Sequence, residues 1–121
     1  MGTRVCEWID SDTGRVLAPR VEMAETAWSR MRGLLGRDGL GDGCGMWIGP
    51  CRMVHTWFMR FAIDLAYVDE GGTVVMVVPR MPPWRMSSAW AAHAVVELPA
   101  GTIAARCIAV GMRTLRRNAA E

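Results

Sequence analysis

Lysine is missing from this 121-residue chain, so all 14 of its basic residues are arginine. A GC-rich coding bias explains that more simply than a phosphate-reading role. No apolar run reaches the length that spans a bilayer, and even residues 74–78 make no more than a strand. Residues 1–16 hold no apolar stretch behind a basic start, so no secretory signal is expected. Cys6, Cys44, Cys51 and Cys107 form no C-x-x-C unit, which predicts free thiols in a reducing cytoplasm. Charge is sparse as well. Charged residues make up 21% and the net charge is +2, which by itself points to neither nucleic acid nor a membrane surface as partner. The glycine-rich residues 38–45 lack the GxGxxG order and a following lysine, so they read as a connection and no cofactor is expected.

What is present is a composition that folds: 51% hydrophobic residues, in a length that supports one domain over 1–121. Residues 3–9 and 15–23 read as strands around Asp10-Ser11-Asp12-Thr13-Gly14, giving an N-terminal hairpin over 1–23. Ala27, Met31, Leu34 and Leu35 then recur at helical spacing, predicting a short amphipathic helix over 24–36. Residues 46–117 form the main β portion. It comprises a brief strand at 46–48, a long run at 56–69 and a return at 73–78, apolar on both faces and therefore placed inside the sheet. An ordered proline-rich loop follows at 79–92, then a strand at 93–99, a second helical turn at 102–109 and a last edge strand or tail at 112–117. The class this predicts is mainly β: a single-domain β-sandwich or partly open barrel with one short helix and a second helical turn.

The stretch 50–69 (PCRMVHTWFMRFAIDLAYVD) carries the two charges hardest to place, Arg60 and Asp64. Trp57, Met59, Phe61, Ile63, Leu65 and Tyr67 share one strand parity, and Arg60 and Asp64 share the other. A straight strand would hold those charges roughly 13 Å apart, so a bend near 60–63 is expected to let them pair. A buried carboxylate must be paired, hydrogen-bonded or neutral. Glu97, inside Val-Val-Glu-Leu, either turns outward or joins the same pocket, and its convergence with Asp64 would raise one of the two pKa values. Cys51 and His55 have a tolerable ligand spacing, but with Cys44, Cys107 and His93 they make no second close pair, so no metal site is assigned. Trp84 and Trp90, beside Arg80 and Arg85, suit either a stacking surface or, more simply, a cover over one end of the core.

The order of these pieces resembles the family known as domain of unknown function 192. The resemblance rests on residues 24–37 (AETAWSRMRGLLGR), Gly45-Met46, residues 55–69 (HTWFMRFAIDLAYVD), residues 72–78 and residues 95–101 (VVELPAG). It implies a compact β-sandwich-like domain without an established activity, and it implies shared polar positions at Arg60, Asp64 and Glu97, with Met59 and Gly101 beside them. This chain has Ala62 where relatives have proline, and Gly111-Met112 where they have Gly-Asp. The resulting expectation is a non-catalytic domain that binds a small polar ligand or a partner segment. The site would be Arg60, Asp64 and Glu97 with Trp57, Met59 and His55. A hydrolase or lyase using Asp64 and Glu97 as acid and base is the alternative, and an adaptor acting through an edge strand is a third.

Overall fold

The computed structural model describes residues 4–24 and 39–118; the helix expected over 24–36 falls almost wholly outside them. Nine strands are described: β1 (Val5–Asp10), β2 (Val16–Ala24), β3 (Cys44–Ile48), β4 (Met53–His55), β5 (Ile63–Val68), β6 (Val74–Met81), β7 (Met86–Ser88), β8 (Ala94–Pro99) and β9 (Thr114–Asn118). One five-residue helix, α1 (Thr102–Arg106), lies between β8 and β9. Seven strands form one sheet in the order β6-β5-β8-β3-β2-β1-β9, and β4 and β7 pair separately. The fold is therefore mainly β, as expected.

β1 and β2 form the N-terminal hairpin. Asp10 closes it with its own groups, since the amide of Gly14 donates to its carbonyl and that of Asp12 to its carboxylate. β2 and β3 run parallel, the one such pair among otherwise antiparallel neighbours in the described sheet. Both faces of the large sheet are covered. On one face Trp8, Leu17, Val21, Ala66, Val96 and Leu98 pack with Ile103 of α1 and with Ile108. On the other, Met46, Leu65, Tyr67 and Val95 pack with Val54 of the small sheet and with Ala89 and Ala92.

The sheet curls until its outer strands meet at one end. Thr73 bridges Arg113, the Val74 amide donates to the Met112 carbonyl, and the Thr114 amide donates to the Gly72 carbonyl. This seam stops short of a closed barrel. β6 is thus an outer strand, not the interior one its apolar pattern predicted; β5 flanks it on one side only and residues 75–78 are half-buried. Pro79 is tolerated there because an outer strand leaves amides unused. The long run over 56–69 is likewise not one strand, since a turn and a bend occupy 57–61 before β5 starts at Ile63.

Gly72 holds the seam at φ 88, where a Cβ would stand 2.3 Å from the Thr114 carbonyl oxygen. Gly72→Ala is expected to cost at least about 2 kcal/mol, from left-handed strain plus the clash, measured as a drop in the urea midpoint.

Candidate functional site

The pleat decides which of the sequence-predicted residues meet. Asp64 faces Leu98 across β5 and β8, while Leu65 faces Glu97, which in turn faces Met46. Cross-strand partners share a face and successive residues alternate. Asp64 therefore belongs to the face of Ala66 and Leu98, and Glu97 to the face of Leu65 and Tyr67. Both carboxylates are fully buried, with the sheet between them. The common pocket expected from sequence is not formed, and Glu97 does not turn to solvent either, because the small sheet and its loops cover that face.

Asp64 is answered by main chain. Its Oδ1 accepts from the Arg80 amide at 2.8 Å, and its Oδ2 from the amides of Gly101 at 3.1 Å and Ile103 at 2.8 Å. Two of these donors open α1, so the carboxylate caps a helix whose own N-cap residue, a glycine, has no side chain to offer. Arg60 instead lies exposed in the bend before β5. The bend exists, but the described structure neutralises Asp64 with amides rather than with the expected Arg60 pairing.

On the opposite face Tyr67 reaches the small sheet, donating from its hydroxyl to the Ser87 carbonyl at 3.0 Å. Burial pushes its pKa above the ordinary value; the Ser87 and Val54 hydrogen bonds oppose that, and Cys51 and Glu97 nearby push it further up. Met59 is buried in the core on this side, beside Leu65 and Tyr67. Among the described residues no three His, Cys, Asp or Glu side chains group as metal ligands would, and none of the four cysteines is in a disulfide.

A different constellation gathers around Thr56, itself fully buried. Its hydroxyl donates to the Pro82 carbonyl at 2.7 Å and accepts from the Arg85 amide at 2.9 Å. Its amide donates to the Arg85 carbonyl, and its carbonyl accepts from the amides of Trp84 and Met59. One residue thus ties the loop after β4 to the loop before β7. From this knot the aromatic rings point outward. Trp57 is 42% exposed and stacks on His55, with ring centroids 4.7 Å apart. Phe58 is 63% and Trp84 57% exposed, and their rings meet at 4.7 Å with a 60° tilt. Both hold left-handed backbone, φ 68 and φ 64, which is costly for a residue with a side chain.

Trp84 and Trp90 therefore do not cover the core, the simpler of the two readings made from sequence; Trp90 is 87% exposed. Of the eight large apolar residues exposed among those described, six come from two segments, 51–62 and 79–92: Met53, Trp57, Phe58, Trp84, Met86 and Trp90. Surface depressions of about 350 and 380 Å³ lie elsewhere, the first beside Trp47, His93 and Arg116, the second beside Pro99, Gly101 and Arg106. Thr56 and Phe58 escaped sequence reasoning. The available signal was their setting: aromatics interleaved with Arg60, Arg80 and Arg85, next to Pro82-Pro83, without a carboxylate in either segment.

A fold of this kind defines a small β-domain of the sort found in an uncharacterised family. The chain belongs to that family, DUF192 (Uncharacterized ACR), whose family model matches residues 9–115. The family has no established function. No curated protein matches the sequence. Two solved structures share the fold. One is a protein of Sinorhizobium meliloti 1021 described as a "putative transcription regulator", with TM-score 0.79 and 20% identity over 95% of this chain and 94% of that one. The other is a protein of unknown function from Novosphingobium aromaticivorans DSM 12444, with TM-score 0.76 and 22% identity over 92% of this chain and 83% of that one. At such identities the likeness speaks for fold alone.

Asp64→Asn places an amide N–H against main-chain donors in a site closed to water. It is expected to cost about 2–4 kcal/mol, read from urea unfolding, and to fray α1. Tyr67 supplies a pH test, because the chain has one tyrosine. Its folded-state pKa is raised, so its contribution to stability is intact below the ordinary value of about 10 and is lost as pH climbs through the folded value. Alkaline ultraviolet titration should show tyrosinate appearing late, and Tyr67→Phe should flatten the fall of stability above pH of about 10.

Proposed function

We propose that this chain is a binding domain rather than an enzyme, and that its working surface is the aromatic platform knotted by Thr56. Trp57, Phe58 and Trp84 supply the apolar contact, with His55 against Trp57 and Arg60 and Arg85 in the same two loops. The observation that supports this reading is the confinement of six of the eight exposed large apolar side chains to those segments. Exposed apolar patches that a monomer maintains mark contact surfaces. The left-handed backbone at Phe58 and Trp84 adds to this, since strain of that kind persists where surrounding bonds enforce it, and such places cluster at working sites.

A partner segment or surface fits this platform better than a small polar ligand held between Arg60, Asp64 and Glu97. An acid–base reaction needs both carboxyl groups at one cleft, and Asp64 and Glu97 lie across the sheet from each other. The outer strands are poorly suited to pairing: β6 carries Pro79 and Arg80, and β9 carries Arg116 and Arg117. Four scattered cysteines, none of them in a disulfide, favour the cytoplasm as the compartment.

Thermal-shift screening with peptides, oligosaccharides, oligonucleotides and short-chain phospholipids tests the reading, since a ligand of the folded state raises the midpoint. Trp84→Gly should fold within about 1 kcal/mol of wild type, because glycine is at ease at this φ, yet lose the ligand-induced rise, as should Arg60→Met. A panel that leaves the wild type unmoved, or a rise that Trp84→Gly retains, removes this surface as the working site.

A further inference from the structure

The net charge of +2 conceals an uneven distribution. Segments 51–62 and 79–92 contain Arg52, Arg60, Arg80 and Arg85 and none of the chain's 12 acidic residues. All four arginines are exposed, but the Arg80 guanidinium lies by Gly101 at α1 and Arg52 borders Asp69 and Glu70, so the cations that accompany the exposed Met53, Trp57, Phe58, Trp84 and Met86 are Arg60 and Arg85. We infer that this patch docks on an anionic phospholipid surface, its rings and methionines entering the interfacial layer and its arginines meeting lipid phosphates. The inference rests on the platform being the working surface and adds the identity of its partner.

The chemistry matches on both counts. Tryptophan settles at the boundary between headgroups and acyl chains, where an amphipathic ring has both an apolar and a polar neighbour. An apolar patch rimmed by cations binds anionic bilayers through buried area and charge together. The cytoplasmic leaflet is negative, and each arginine near it strengthens attachment roughly fivefold. Arginine also suits the phosphate geometry, with its forked donors and apolar stem.

Single-stranded nucleic acid would meet arginines and rings too. Two features favour lipid. Stacking needs open ring faces, whereas His55 covers one face of Trp57 and Phe58 packs against Trp84. Met53 and Met86, 55% and 54% exposed, add flexible aliphatic surface that base stacking does not use. The knot at Thr56 fixes the rings in place beforehand, so little ordering remains to be done on contact.

Co-sedimentation tests this with vesicles of phosphatidylcholine mixed with phosphatidylglycerol, against vesicles of phosphatidylcholine alone, followed also by tryptophan emission. Wild type should sediment with the mixed vesicles only, with a blue shift, and release as salt is added. The double variant Phe58→Gly, Trp84→Gly, which keeps its fold because both φ values suit glycine, should bind roughly tenfold or more weakly. Arg60→Gln and Arg85→Gln should each weaken binding roughly fivefold. Failure to sediment with mixed vesicles, or equal binding to both kinds, overturns the assignment. If wild type binds oligo(dT) instead and the double variant does not, the lipid assignment falls while the platform stands as the working surface. Vesicle binding that survives both glycine replacements overturns the assignment and the platform together.

Discussion

Removing the Asp64 carboxylate from water without replacing its hydration would cost several kcal/mol; three main-chain amides replace it. Those amides belong to segments with little else to define them. Arg80 departs from strand geometry at φ 49, Gly101 sits at φ 97, and Ile103 lies in the first turn of a helix of five residues that no intrinsic propensity could sustain. The same carboxylate therefore fixes where β6 deviates and where α1 begins, both relative to β5. A few residues past Arg80 come Pro82 and Trp84, so an anchor on one face of the sheet sets the course of the loop that presents rings beside the other.

Thr56 completes that course. The rings it helps display gain nothing for folding by remaining in water, and the backbone beneath two of them is strained. Its hydroxyl serves as donor and acceptor at once, which valine, its near-isostere, could not do. Buried polar groups so fully engaged make a rigid point in a region otherwise made of loops. Stability is being spent on presentation, as is common where a surface has work to do.

Much of the architecture was legible in the residues. The Asp-Ser-Asp-Thr-Gly turn specified the hairpin, the Val-Val-Glu-Leu stretch specified β8, and three prolines kept most of 79–92 out of the central sheet. The placement of β6 was not, because an apolar run reads alike whether neighbours cover it on one edge or two. Parity correctly separated Asp64 from Leu65, but nothing local could tell which β8 residue would stand opposite, and that register divided Asp64 from Glu97. The Arg60–Asp64 pairing rested on nearness in sequence, whereas the actual donors are 16, 37 and 39 residues away. The exposed platform was invisible to whole-chain averages, and apolar patterning reads a ring as buried by default.

β9 lies beside β1, with Asn118 opposite Cys6 and Thr114 opposite Asp10. During synthesis, β1 consequently waits with a bare edge until residues 114–118 have left the ribosome. Assembly is thus governed by contacts between distant parts of the chain and slow on that account. In that interval the nascent β1–β2 hairpin is where a chaperone would find the most to shield.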